Sequence, residues 1–283
     1  MKYVILWVVF LLSFTSTAIA NDIRVMSFNT TCALCNKGKF DKFSKRKHWI
    51  VDTVKRANPD IISLQEVLTS HQLKWISKKL KNYSLFYGKY RVFKFSDSAL
   101  LIRKDRFKVT ADGGYWLGRR GGKRFSFGWS FALPRRVQWA NIYDKTSGKE
   151  FTFVGGHFDN RTENKENSAR FVIETFSKSE RPILFAGDTN LKPLTNGYAI
   201  LKTFFDDSFD ISAEFSMIQN SNTGLNDGCN LEKGKVFPDC RVDHILVSSR
   251  DNWSVSNWSI DQYLYNGKFT SDHRAIYSDI SLD

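Results

Sequence analysis

Residues 23–28, Ile-Arg-Val-Met-Ser-Phe, form a short, mostly apolar run that ends in Asn29, and runs of this kind recur along the chain. At this length, bounded by Asn, Asp, Gly or Pro, they predict buried strands. Strands are expected at 23–28, 60–65, 83–87, 99–103, 137–143, 151–156, 182–186, 241–248 and 274–282. Elsewhere the apolar period lengthens to that of a helix. In 44–57, Trp49, Ile50, Thr53, Val54 and Ala57 share one helical face, and Asn58-Pro59 stops the helix. Thr69-Ser70-His71-Gln72 has the spacing of a capping box ahead of Leu73, Ile76 and Leu80. A further helix is expected over 164–178. Many strands with a few interspersed helices predict an α/β or α+β fold with two packed sheets. No repeat, low-complexity tract or Pro/Gly-rich linker interrupts the chain beyond residue 21, so 21–283 reads as a single domain.

The first twenty residues follow a different pattern. Met1-Lys2, an apolar run to Phe14 and a close on Ala18-Ile19-Ala20 are the three regions of a secretory signal. The run is shorter than the ~20 residues a membrane span needs. Export with cleavage after Ala20 is expected, to the periplasm or the medium.

Composition adds a direction. Forty-two Lys and Arg against 29 Asp and Glu give a net charge of +13, which favours anionic partners, nucleic acid first and acidic membrane lipid second. Aromatic residues make up 15% of the chain, enough to fill a core without help from disulfides. Four cysteines in an exported chain favour disulfides. Three pairings are open, and local pairing is preferred, Cys229–Cys240 and Cys32–Cys35, because each pair sits in one polar segment. Cys32-Ala33-Leu34-Cys35 has redox-motif spacing without a thioredoxin-like context, and Cys229 and Cys240 lie too far apart for a zinc knuckle.

The candidate chemistry lies at strand ends. The first strand ends in Asn29, the second in Glu66, the 151–156 strand in His157 with Asp159 beyond it, and the 182–186 strand in Gly187-Asp188-Thr189-Asn190. Val242-Asp243-His244 opens one strand and Ser271-Asp272-His273 precedes the last. Singly, each is an ordinary turn residue. Together, carboxylates, amides and imidazoles at six strand ends supply hard oxygen ligands, proton carriers and phosphate-binding groups.

The ordered set Ser27-Phe28-Asn29, Leu64-Gln65-Glu66-Val67, Gly156-His157-Phe158-Asp159, Gly187-Asp188-Thr189-Asn190, Arg241-Val242-Asp243-His244-Ile245 and Ser271-Asp272-His273 resembles the endonuclease/exonuclease/phosphatase superfamily, which includes the DNase I-like nucleases. The segment from Leu133 to Trp139 is similar to one in secreted bacterial members. The resemblance implies a four-layer α/β sandwich and hydrolysis of phosphate esters with Mg2+, or with Mn2+ or Ca2+. It implies Glu66 as the principal metal ligand with Asn29 and Asp272 near the metal. It implies that Asp188 and Asn190 orient water and phosphate, that His157 and the Asp243–His273 pair flank the phosphorus, and that Arg135 contacts phosphate. Two departures stand out: Thr189 where the family has an aromatic residue, and Ser96 followed by Asp97 where secreted relatives carry a Glu expected to partner His157.

Residues 116–136 interleave Arg119, Arg120, Lys123, Arg124, Arg135 and Arg136 with Trp116, Phe125, Phe127 and Trp129, and read as the lip of a nucleic-acid groove. The basic run Lys37, Lys39, Lys42, Lys45, Arg46 and Lys47 either extends that surface or is the wet face of a helix. A nuclease is the leading expectation. A phosphatase or a phospholipid phosphodiesterase of the sphingomyelinase or inositol-phosphatase kind is the alternative, and a non-catalytic binding protein a third reading. A monomer without a protein partner is expected.

Overall fold

The computed structural model describes residues 22–33, 35, 42–88, 97–122, 125–215 and 241–283. The signal segment, Cys229, Cys240, Lys123 and Arg124 lie outside the described residues. The chain runs β1 (Ile23–Asn29), α1 (Phe43–Ala57), β2 (Ile61–Gln65), α2 (Ser70–Lys79), β3 (Tyr83–Tyr87), β4 (Ser98–Arg103), β5 (Phe107–Leu117), β6 (Arg135–Asp144), β7 (Glu150–His157) and α3 (Thr162–Phe176). It continues through β8 (Ile183–Asp188), α4 (Asn196–Lys202), β9 (Phe205–Asp207), α5 (Ser208–Ile211), β10 (Glu214–Phe215), β11 (Asp243–Ser248), β12 (Trp253–Ile260) and β13 (Ile276–Leu282).

Among the described residues these strands form a 7-stranded sheet, ordered β10-β12-β13-β1-β2-β4-β3, and a 6-stranded sheet, ordered β5-β6-β7-β8-β11-β9. Three apolar cores separate four layers. Val25, Ile61, Leu100, Phe153, Leu184 and Ile245 fill the space between the sheets. Met26, Ile62 and Leu101 pack outward on Ile50, Val54 and Ile76 of α1 and α2. Val154, Ile183 and Phe185 do the same against Ala169, Val172 and Leu201 of α3 and α4. Central strands are therefore buried on both faces, which is why their sequences read as continuous apolar runs. This is the four-layer α/β sandwich expected from the motifs.

The capping box at Thr69 forms as its spacing predicts, and α1 ends on Asn58 in the left-handed conformation before Pro59. Strands β5 and β12 escape the apolar pattern for local reasons. The sheet-edge strand β5 carries Asp112-Gly113-Gly114, a turn-like sequence, yet a Cβ at Gly113 would lie 2.7 Å from the Trp139 ring on the neighbouring strand. Close cross-strand packing, not a turn, uses the glycine. In β12 a register shift between Val255 and Asn257 breaks the alternation. The basic run, of which Lys37 and Lys39 lie outside the described residues and Lys45, Arg46 and Lys47 fall within α1, is also corrected at one position. Arg46 is not on a wet face but is wholly buried.

The topology places the strand ends together. The parallel pairs β1–β2 and β7–β8 end at the same edge of the sandwich, where antiparallel β4 and β11 begin. In register, His157 neighbours Asp188, and Asp188 neighbours Asp243. In the larger sheet, Asn29 pairs in register with Gln65, and Gln65 with Ser98.

Candidate active site

The row His157, Asp188, Asp243 comes from three adjacent strands of the smaller sheet. Gly187 permits the approach: a Cβ there would lie 2.2 Å from the Gly156 carbonyl oxygen. His157 Nε2 lies 3.4 Å and His273 Nε2 3.8 Å from Asp188 Oδ2, so one carboxylate oxygen faces both imidazoles. Asn190 N donates to Asp188 Oδ1 at 2.9 Å, and the Asn190 side-chain amide donates to Phe158 O at 2.9 Å. Asn190 thus acts on Asp188 through its main chain. Lys165 of α3 donates to Asn190 O at 3.0 Å, and burial followed by repulsion from Lys192 holds its ammonium below the ordinary lysine value.

Each imidazole has its own carboxylate. His273 Nδ1 lies 2.8 Å from Asp243 Oδ2, and His157 Nδ1 lies 2.9 Å from Asp97 Oδ1. Arg135 NH1 also donates to Asp97 Oδ1 at 2.9 Å and sits 2.7 Å from His157 Nδ1. We assign the proton to Nδ1, so both nitrogens donate to the shared carboxylate and their closeness to each other is not a bond. Asp97 was legible only as the neighbour of Ser96. It supplies the acid that the missing Glu would have supplied. Arg135 feels the charges of Glu66 and Asp188, but its NH1 is committed to Asp97.

Burial works against charge in all of these groups and the partners outweigh it. For His273, burial lowers the pKa, while Asp243 and Asp188 raise it well above the ordinary histidine value. For His157, burial and Arg135 lower it, and Asp97 and Asp188 raise it to a net increase. Burial pushes Asp97 up, and Arg135 and His157 bring it below the usual range. Asp188 is likewise raised by burial and lowered further by His273, His157 and the Asn29 amide.

The larger sheet contributes Glu66 and Asn29. Glu66 follows β2 at φ 63°, a left-handed conformation uncommon for this residue type. Its Oε2 accepts from Cys32 N at 2.6 Å and its Oε1 from Asn29 Nδ2 at 3.3 Å. Asn29 Nδ2 also donates to Asp188 Oδ2 at 2.8 Å, bridging the two sheets, while its Oδ1 accepts from Thr31 N at 3.0 Å. The amide nitrogen of Asn29, not its oxygen, therefore faces the carboxylates. Thr31 Oγ1 bonds to Asp272 Oδ1, accepts from Asp272 N at 2.9 Å and meets Ser271 Oγ at 2.6 Å. Through Thr31 the Asp272 loop joins Asn29 and Glu66. Beneath them Arg46 of α1 donates to Thr30 O (2.6 Å), Thr31 O (2.9 Å) and Thr270 O (2.9 Å). Thr31 and Arg46 carried no motif signal, because neither is at a strand end and their work is to hold carbonyls and loops.

The donor set fits a divalent cation. Glu66, Asp97, Asp188, Asp243 and Asp272 surround the cleft, against Arg135, His157 and His273. Two negative charges remain even with both imidazoles protonated, and the oxygens suit a hard ion. Oxygens of Asp188 and Asp243 and a His273 nitrogen lie within 4.8 Å of one another. So do the sulfurs of Cys32 and Cys35 and a Glu66 oxygen, but these sulfurs are joined in a disulfide.

Of the expected lip, Arg119 and Arg120 are exposed. Arg136 instead lies over the buried Trp116 ring, 5.3 Å from its centroid. Phe127 and Phe131 stack on each other at 5.3 Å in the open, Phe131 being 76% exposed. Asn164 at the start of α3 fixes this loop, accepting from Trp129 N and Ser130 N and donating to Ser130 O and to Asp159 Oδ1.

A family model, described as Endonuclease/Exonuclease/phosphatase family, matches residues 27–273, most of the chain and every strand end just described. The chain belongs to this family. Its fold is shared with an endonuclease/exonuclease/phosphatase family protein from Bacteroides thetaiotaomicron, 24% identical at a TM-score of 0.81 over 93% of this chain and 98% of that one. A mannosyl-6-phosphatase of the same organism is 22% identical at a TM-score of 0.78, covering 92% and 100% of the two chains. D. rerio TDP2 complexed with single-stranded DNA product is 18% identical at 0.68, covering 92% and 99%. No curated protein matches the sequence. The family is one of phosphate-ester hydrolases, and the chain has its fold.

Proposed function

We propose that this family member is an exported, divalent-metal-dependent phosphodiesterase whose substrate is nucleic acid. The observation that carries the hydrolytic reading is the single Asp188 oxygen facing His157 and His273, each imidazole backed by its own carboxylate. Such a pair can hold a water, face a phosphate and exchange protons on both sides of the phosphorus. Asp188, fixed by Asn29 and the Asn190 main chain, orients the attacking water. His273, kept cationic by Asp243, faces the phosphate oxygens, and His157, held by Asp97, faces the leaving oxygen and returns a proton to it. Glu66, with Asp272 tied to its loop through Thr31, would hold Mg2+ or a similar ion, which supplies neutralisation of phosphate charge when bound, while Asn29 orients the Glu66 carboxylate through its amide nitrogen.

The polymer reading rests on Arg119 and Arg120 standing exposed in the same loop as the open Phe127 and Phe131 rings, with the chain's excess of Lys and Arg over Asp and Glu behind them. Export rests on the leader pattern and on the Cys32–Cys35 disulfide, which suits an oxidising compartment. One observation favours a second reading, a phospholipid phosphodiesterase: Phe131 and Leu133 expose apolar surface at 76% and 65%. The test is turnover of mature protein on plasmid DNA, RNA, sphingomyelin vesicles, inositol phosphates and mannose 6-phosphate, each in Mg2+ and in EDTA. Metal-dependent cleavage of a nucleic acid ahead of the others is expected. Faster turnover of any other substrate overturns the nucleic-acid reading, and equal turnover in EDTA overturns metal dependence.

A further inference from the structure

The Cys32–Cys35 disulfide lies against Glu66. Cys32 is buried, Cys35 is exposed, and Cys35 N donates to Cys32 O at 3.1 Å, closing a tight turn. In that turn Cys32 N donates to Glu66 Oε2 at 2.6 Å, so the disulfide-closed segment positions the carboxylate. Thr31, one residue earlier, is left-handed at φ 54° and holds both Asn29 and Asp272. The sulfurs and a Glu66 oxygen lie within 4.8 Å of one another.

We propose that this disulfide is a redox latch on Glu66, and that its reduced form, Cys32, Cys35 and Glu66 together, is a site for a thiophilic divalent cation such as Zn2+. Oxidised, the sulfurs are bonded to each other and Glu66 faces the cleft. Reduction takes two equivalents of a small thiol. The first thiolate attacks the exposed Cys35 sulfur and releases the Cys32 thiolate; the second resolves the mixed disulfide, releasing the Cys35 thiolate and the small-molecule disulfide. The two sulfurs must then move apart to non-bonded distance, and the turn carrying Cys32 N moves with them. Tetrahedral zinc, with Zn–S near 2.3 Å and Zn–O near 2.0 Å, needs neighbouring donors about 3.5–4 Å apart, within reach of the three groups. Thiolates favour Zn2+ over the hard ion that Glu66 serves in the oxidised protein. Reduced protein therefore loses Glu66 twice, by release of its main-chain donor and by capture into the thiolate site. A chain made in a reducing compartment is off, and oxidation on export turns it on.

The test compares wild type with Cys32→Ser/Cys35→Ser, which keeps Cys229 and Cys240, using bis(4-nitrophenyl) phosphate so that the natural substrate does not enter. Cys35→Ser, at the exposed position, serves if the double variant does not fold. Tris(2-carboxyethyl)phosphine reduces the disulfide, taking up water oxygen as phosphine oxide and leaving no competing thiol. Wild type in Mg2+ is expected to lose on the order of tenfold in turnover on reduction and to regain it on reoxidation. Reduced wild type with Co2+, the zinc probe, is expected to show thiolate-to-cobalt charge-transfer absorption. The serine variant is expected to lack that band and to turn over at the reduced level with or without phosphine. Full turnover by reduced wild type overturns the latch. A cobalt band of equal strength in the serine variant overturns the metal site.

Discussion

Asp97 and His157, sixty residues apart in sequence, meet at 2.9 Å between the two sheets, and Arg135 closes on the same carboxylate oxygen. Asp97→Asn keeps the size and removes the charge. Without that attraction, burial and Arg135 act on the imidazole unopposed by Asp97, and its pKa falls. Turnover is expected to drop on the order of a hundredfold, with the alkaline limb of kcat against pH displaced to lower pH. An unchanged limb in a stopped-flow pH profile would separate Asp97 from His157.

Stability of the metal-free protein should depend on His273 in a defined direction. Its folded pKa is raised well above the ordinary value by Asp243 and Asp188, after burial has lowered it. A raised folded pKa gives stability that is fully present below about pH 6.5, the unfolded value, and is lost as pH rises through the folded one. Asp243→Asn should therefore cost about 2 kcal/mol at low pH and progressively less as pH rises past neutrality. Urea unfolding in EDTA at pH 5.5 and pH 9 measures the difference.

Glu66→Gln preserves shape and removes the anionic ligand. Activity is expected to fall by roughly two orders of magnitude or more, and the rise in Tm that Mg2+ gives wild type is expected to vanish. Calorimetry with and without Mg2+ checks the binding half independently of turnover.

Arg46→Met tests whether the site is held from below. The substitution leaves the Thr30, Thr31 and Thr270 carbonyls without their donor. A loss of about 3 kcal/mol is expected in denaturant unfolding, with weaker Mg2+ binding because the Asn29 and Asp272 loops are no longer tied together.

Arg119→Ala with Arg120→Ala tests the lip. If both arginines grip phosphate as proposed, their loss flattens the slope of log affinity against log salt by about 2 on duplex, while turnover of a small phosphodiester is unchanged. A filter-binding salt titration reads this directly.

Nine of the strands, the three longer helices and the residues at the strand ends were legible from sequence because burial on both faces imposes long apolar runs, and a polar residue that ends such a run stands out; β5, β9, β10 and β12 were not. Ordered along the chain, Asn29, Glu66, His157, Asp188, Asp243, Asp272 and His273 were enough to point to one family and one layered fold. Tertiary structure alone decided what those residues touch. Asp97 became the partner of His157 because β4 runs antiparallel to β2 and brings its first residues beside the end of that strand. Arg46, one cation in a basic run, was drawn inside because three main-chain carbonyls from two loops needed a donor there. Asn29 turned its nitrogen to the carboxylates because Thr31 N occupies its oxygen. Periodicity reports which face of an element is buried; it carries no information about contacts between residues brought together by sheet pairing, and in this protein those contacts orient the candidate catalytic groups and shift the titration of Asp97, His157, Asp188 and His273.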